Sequence, residues 1–457
     1  MDYHQIGGFH PAISTSWKER GSESLGQKVY RLLPRNADGS LELLLGIKTP
    51  GTSCLLVTEV DAQKHLYRER SLRYNSQFRS KAGDFESLSP ILFLDCSALE
   101  KKLEGFQQPA GKKNTKGRDV DISSQNKAYQ DGQSHGIQRG QFENSRILYK
   151  LLHGQIDTDR FDLKDTSWCS SIRVYSFCYN VWLRDTRSPE ERRLSPKILD
   201  LAWGEASTST LDGNMKTARD IVYSNNKMLE NPGEMKMMGG EMVREASSRK
   251  AYEYGDSHGA TEICDHQALA GRVQRFFGQF TRPTQHPAIL LVHDEQLARN
   301  VLLSLGVDVS QWDPSLKNLL RHAQNDLRRR REDPRGRSAS PRPHDRSARR
   351  NSPPPRRLYA PVYVVDVQSM FTTLFGTSDR SQSVPAIAKH LGILPAEDKG
   401  WCAGNEVWLV PKIFCAMAHG SSIDEQKQEW PSFTIQAASD EYDDDVSDYG
   451  LDGSDSE

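Results

Sequence analysis

No two cysteines of this chain stand in a C-x-x-C pair, no apolar run reaches about 18 residues, and 457 residues carry a formal net charge of only −1. The first shortage argues against a zinc site or a disulfide framework. The seven cysteines (Cys54, Cys96, Cys169, Cys178, Cys264, Cys402, Cys415) are odd in number and scattered, the usage of a reducing compartment. The second argues against a membrane span, and Met1-Asp2-Tyr3-His4-Gln5 has no basic-then-apolar signal. The expectation is a soluble intracellular protein, in nucleus or cytoplasm. The third means that no global field selects a partner. Apolar residues are also scarce, 36% with a mean hydropathy of −0.68, so a good share of the chain is expected to stay solvated. The length allows about three domains.

Residues 1–26 are polar and rich in Gly and Ser, and read as disordered. Runs 28–33, 41–47, 54–60 and 90–94 are β-prone, the first two around a hairpin-type Asn36-Ala37-Asp38-Gly39, and 97–106 has helical spacing. Residues 27–106 thus predict a small N-terminal α/β module, and 107–142, without periodicity, a flexible linker. Beyond 143 the pattern predicts strands at 171–182, 197–203 and 220–223, an insertion at 229–260 and a helix at 267–280. A strand buried on both sides follows at 288–292, then helices at 296–305 and 316–327. After an Arg-rich insertion come a strand at 361–365 and helices near 367–375 and 383–391. The last helix opens on a polar Gly404-Asn405-Glu406 turn, and its Val407, Val410, Ile413, Phe414 and Met417 recur at three- and four-residue spacing.

Trp401-Cys402-Ala403-Gly404-Asn405-Glu406 resembles the last motif of DEDDh-type 3′–5′ exonucleases, His-Asn-Ala-Gly-Asn-Asp-Ala. The Ala-Gly-Asn centre is kept; Trp401 stands for the histidine and Glu406 for the aspartate. Ile423-Asp424-Glu425-Gln426, with Trp430-Pro431, resembles the Val-Asp-x-Gln…Arg-Trp-Pro ending of a fungal branch of that superfamily, the branch associated with mRNA-export suppressors. The resemblance covers about residues 170–431. It implies an α/β, ribonuclease H-like domain over 143–433, a mixed five-stranded sheet with flanking helices. In that family two divalent metals are held by Asp-x-Glu on the first strand, an Asp beyond the fourth strand, and His and Asp on the last helix, because hard cations want several oxygen ligands. Here the matching positions carry Cys178 and Asn180, Ala298 (five past the His293 of Leu291-Val292-His293-Asp294), Trp401 and Glu406. One carboxylate of four remains, and no base.

The resemblance therefore implies a pseudo-exonuclease without a cofactor, with Mg2+ or Mn2+ only in the alternative of an active nuclease using substituted ligands. Asp95 is the other candidate for the first aspartate, but Ser97 rather than a Glu stands two positions on, and the Cys178 assignment is preferred; Asp200, Asp294 and Asp366 are the acids a re-routed site would draw on. Asp294 and Asp366 read instead as helix caps, His293 as a core or turn histidine, and Cys178 as a buried structural thiol. Pro411 predicts a kink or a restart in the last helix, and Trp401 and Trp408 a partly filled substrate cleft.

Two charged stretches remain. Residues 328–357 hold twelve Arg against Glu332, Asp333 and Asp345, a net of +9. Arg328, Arg329, Arg330, Arg331, Arg337, Arg342, Arg349, Arg350, Arg356 and Arg357 are the expected nucleic-acid contacts, with RNA or a ribonucleoprotein as partner; a solvated loop or an import patch is the other reading. Ser340 and Ser352 each precede a proline, and phosphorylation there would lower the positive charge. Residues 434–457 read as a disordered acidic tail, with nine acids and no basic residue from Asp440 onward. The expected function is a nucleic-acid or ribonucleoprotein scaffold with protein partners; a pure protein-interaction domain is the further alternative.

Overall fold

The computed structural model describes residues 1–15, 23–75, 79–107, 121, 123–129, 134–163, 165–207, 215–226, 229, 231, 235–238, 241–244, 261–321, 358–377, 382–393 and 402–430. The expectations for 328–357, Trp401 and 434–457 lie outside the described residues, as does most of 229–260.

The first elements are β1 (Asp2–Gly7), β2 (Ile13–Thr15), α1 (Leu25–Leu32), β3 (Leu41–Lys48) and β4 (Ser53–Thr58). A single turn α2 (Glu59–Asp61), β5 (Leu72–Tyr74), β6 (Arg79–Lys81), β7 (Phe85–Phe93) and α3 (Cys96–Gly105) follow. Five of the strands form an antiparallel sheet in the order β6-β1-β4-β3-β7, and β2 pairs with β5.

Two sequence expectations are corrected here. The described part of 1–26 is not disordered: β1 lies between β4 and β6, and Tyr3, His4, Gln5 and Ile6 are all buried. Residues 28–33 belong to a helix and its cap rather than to a strand. Ser24 and Gln27 close a capping box, each side chain accepting the other's backbone N–H at 3.1 Å. The β-prone Val29 and Leu33 then pack with Leu99 and Leu103 on one face of the sheet.

The expected linker 107–142 is corrected too, because α4 (Ser134–Leu152) begins inside it. Leu43 and Leu45 face α1 and α3, while Leu44, Tyr3 and Phe85 share a core with Phe142, Ile147 and Leu148 of α4. That is why 43–45 is an unbroken apolar run: both faces of the sheet are covered.

The chain continues with β8 (Arg173–Val181), α5 (Pro189–Leu194), β9 (Ile198–Ala206), β10 (Met215–Tyr223), a separate hairpin of β11 (Met235–Met238) and β12 (Glu241–Arg244), β13 (Thr261–Cys264), α6 (His266–Phe277), β14 (Ala288–Val292), α7 (Glu295–Ser304), α8 (Leu316–Arg321) and β15 (Val362–Asp366); six of these strands form the second sheet. Helices α9 (Val367–Phe375), α10 (Val384–His390), α11 (Ala403–His419) and α12 (Ile423–Glu429) close the fold. The sheet is mixed and has six strands, not five, in the order β13-β10-β9-β8-β14-β15. The additional strand, β13, runs parallel to β10 at the edge. β8, β14 and β15 are mutually parallel, and β9 is antiparallel to both its neighbours.

Side-chain alternation splits the core. Val174 and Cys178 of β8 lie on the α11 side, and Tyr175 and Phe177 on the side of α6 and α7. α11 runs unbroken through Pro411, without the restart that an interior proline suggested.

α4 lies between the two sheets, and buried ions tie it to the end of the fold. Arg139, with no exposed surface, donates to both oxygens of Asp424 at 2.6 and 2.7 Å and to the Gly51 carbonyl at 2.6 Å. Lys102 on α3 reaches Asp424 at 3.1 Å and Glu425 at 2.7 Å. Glu143 accepts the Ile423 N–H at 2.7 Å. Burial by itself would raise the Asp424 carboxyl; Arg139 and Lys102 outweigh it and hold it well below the usual range. Residues 27–106 are thus not a module apart, since their sheet shares its core with α4 and α11. No helix among the described residues is long and apolar enough to cross a membrane.

Candidate functional site

Polar side chains on the α11 face of the second sheet collect under the first turn of α11. Asn180 on β8 stands opposite Asp200 on β9, and Cys178 opposite Ala202. Asp220 on β10 also pairs with Ala202, which brings it to the same place. Asp200 has no exposed surface, Asp220 has 1% and Glu406 has 7%.

The Ala-Gly-Asn turn is what lets the helix close over these acids. The Ala403 N–H donates to Asp200 Oδ2 at 3.0 Å. A Cβ on Gly404 would lie 2.8 Å from both Cβ and Cγ of Asp220, so only glycine admits this approach. The Thr261 hydroxyl of β13 donates to Asp220 Oδ2 at 2.9 Å. A helix N-terminus presents unpaired N–H groups and the positive end of its dipole, which favours acids placed beneath it.

Burial, and then the neighbouring Asp220, push the Asp200 carboxyl up to about 7, against the opposing pull of the Ala403 N–H and of Asn180. Two enclosed carboxyls do not readily ionise together. Burial and then Glu406 raise the Cys178 thiol well above its ordinary value, and burial raises Cys402 as well. Neither is the accessible thiolate that a nucleophile requires.

The residues present do not fit a two-metal centre. The first-strand positions offer a thiol held protonated and an amide. Asp200 is enclosed, with one oxygen committed to the helix. Among the described residues, no group of three or more His, Cys, Asp or Glu side chains is placed to hold a metal ion. What the arrangement does chemically is anchor α11 to β9 and β10.

Of the positions named from the sequence, the fold brings Cys178, Asn180 and Glu406 together and leaves Ala298 out. Ala298 is buried on α7 among Phe177 and Val292, on the opposite face of the sheet. Trp408 is half-buried against the α11-side core. Asp294 caps α7, accepting from Leu297 N–H at 2.8 Å, and Asp366 caps α9, accepting from Ser369 N–H at 2.7 Å and from Glu295 N–H at 3.1 Å. Burial pushes the Asp366 carboxyl up to about 7. With Glu295 these acids edge a cavity of about 270 Å3 at the carboxyl ends of β14 and β15, walled on its far side by Gln138 and Gln141 of α4. Asp95 caps α3, accepting from Ala98 N–H at 2.8 Å. Burial lowers the His293 imidazole, with Asp294 and the Gln382 backbone opposing.

Asp220 is the member of the cluster that the sequence did not flag. In Arg219-Asp220-Ile221-Val222 it reads as an ordinary strand position, and only the pairing of β10 with β9 sets it beside Asp200. Compared with known proteins, the chain matches no protein-family model, and no curated protein shows significant similarity to it.

Proposed function

We propose that the second sheet and its helices form a ribonuclease H-like, DEDDh-type body that binds nucleic acid, single-stranded RNA or a ribonucleoprotein, without hydrolysing it. The strand order β10-β9-β8-β14-β15, with β9 reversed, supports the fold assignment, with β13 as an edge addition. The observation that carries the loss of catalysis is the use of the last-helix motif as a structural clasp: Ala403 on Asp200 and Gly404 against Asp220. Cys178 and Asn180 occupy the places where metal-binding acids would stand. The twelve arginines of 328–357 supply the electrostatic attraction to phosphate.

The test has two arms. Full-length protein, titrated with Mg2+ and separately with Mn2+, is expected to release no nucleotide from a labelled single strand; metal-dependent release that Glu406→Gln abolishes supports a working nuclease instead. Ultraviolet crosslinking to RNA is expected for the full chain and to weaken when 328–357 are deleted. No crosslinking in either case supports a domain that meets only proteins.

A further inference from the structure

Between Val181 and Ile198 the chain leaves the second sheet, forms α5 and returns into β9. None of the six residues of α5 is buried. The helix is held by its Ser188–Glu191 capping box and by Arg187, whose Nη2 donates to the Ser195 carbonyl at 2.7 Å. A helix this short, with no buried face, opens locally at little cost.

Its end carries Arg192-Arg193-Leu194-Ser195-Pro196. Ser195 is exposed and stands just past the helix at φ −143° and ψ 71°; a residue before proline is driven out of the helical region. Its hydroxyl makes no hydrogen bond among the described residues. Arg192 and Arg193 are exposed, and neither forms an ion pair among the described residues. Leu194 is 71% exposed.

Four described Ser or Thr residues precede a proline, and the other three lack this combination. Ser89 has no exposed surface. Ser188 is committed to its cap, accepting from the Glu191 N–H at 3.2 Å and donating to the Glu191 carboxylate at 2.8 Å. Thr49 is exposed, but Gly46 and Ile47 stand where the two arginines would be. The arginine spacing itself recurs in the sequence outside the described residues. Arg337 stands three before Ser340-Pro341, and Arg349 and Arg350 stand three and two before Ser352-Pro353.

We propose that Ser195 is the phosphoacceptor of a proline-directed serine kinase that also reads arginine three residues before its target, the class of enzyme that Ser340 and Ser352 fit too. Arginine at that place suits a carboxylate-lined pocket, and a proline after the target, which has no N–H to satisfy, suits an apolar one. In the transfer, Ser195 Oγ bonds to the γ-phosphorus of ATP and the bond to the β,γ-bridging oxygen breaks. ADP leaves, and the hydroxyl proton passes to the kinase's own base. The phosphate arrives next to Arg187, whose guanidinium already reaches the Ser195 carbonyl. Residues 184–197 hold five basic and three acidic side chains, a net of +2, which one phosphate brings to about zero. Phosphates on Ser340 and Ser352 lower the +9 of 328–357 by about four in the same way. The inference stands apart from the nucleic-acid reading, since it concerns a hydroxyl and the enzyme that modifies it.

The experiment uses the full chain, Mg2+ with ATP, and two recombinant kinases. One requires both the upstream arginine and the following proline; the other requires the proline alone. Intact mass and phosphopeptide mapping read the product. In Ser340→Ala/Ser352→Ala the first kinase is expected to add one phosphate, on the peptide containing Ser195, and Ser195→Ala in that background to remove it. Arg192→Ala/Arg193→Ala in the same background is expected to slow the first kinase about tenfold and the second by less than about twofold. Melting curves check that each variant folds. Phosphate on Ser188 instead of Ser195 overturns the proposal, as does a rate that the two arginines leave unchanged. A folded chain left unmodified while a peptide of residues 188–200 is phosphorylated also overturns it, because α5 then does not open to the enzyme.

Discussion

Asp200 is a carboxyl group whose folded-state pKa, about 7, lies above the roughly 3.9 of an unfolded chain. Its cost to stability is therefore absent below about pH 4, grows as pH rises and is complete above about pH 7. Asp200→Asn should stabilise the fold by about 2–4 kcal/mol at pH 8 and change little at pH 4, measured by urea unfolding. A loss at both pH values would show that the ionised form is required. Asp424 has the opposite sign: its depressed pKa gives stability that is present above about pH 4 and lost as pH falls further. Asp424→Ala leaves the enclosed Arg139 without its counter-ion and should cost about 3–5 kcal/mol by the same measurement; a cost under about 1 kcal/mol would mean that water reaches the guanidinium. At this scale the sequence was partly legible. Asp294 and Asp366 could be read as caps from their place between strand and helix, and Cys178 as a structural thiol. The neighbours of Asp200 could not be read, because pairing across strands sets them.

Among the elements, α11 shows how close a helix can approach a sheet when its first turn is Ala-Gly. Gly404→Ala must push Asp220 aside or lift the helix, and should lower stability by about 1–3 kcal/mol. Calorimetry on the two proteins checks this, and an unchanged melting temperature would mean that the clasp yields. The apolar spacing of α11 was plain in the sequence because its buried face is made of Val, Ile, Phe and Met. α4 was not, for a physical reason: its buried face includes Arg139, Glu143, Asn144, Ser145 and Arg146. Those residues are enclosed through pairing rather than through hydrophobicity, so no apolar period announces them. α1 hid similarly, since Val29 and Leu33 suggest a strand until the Ser24–Gln27 capping box is given its weight.

For the molecule as a whole, the order of the central strands could be followed from their apolar runs, whereas the dependence of one sheet on the other could not. Composition suggested a module, a linker and a domain; the fold instead packs α4 against the first sheet on one side and against α8, α9 and α11 on the other. Removing residues 1–106 should strip one side of α4 and abolish cooperative unfolding of the remainder, followed by circular dichroism on heating. A remainder that still melts in one sharp step near the full-length temperature would restore the two-module picture.

The Arg139–Asp424 pair joins positions 285 residues apart, and this bears on synthesis. While the chain is being translated, the first sheet can assemble its strands but lacks the anion that lets the guanidinium be enclosed. Its interior stays unsettled until α12 has left the ribosome, so an early stop just before Asp424 should release a product prone to aggregation rather than a shortened working protein, whereas a stop beyond Trp430 keeps the pair.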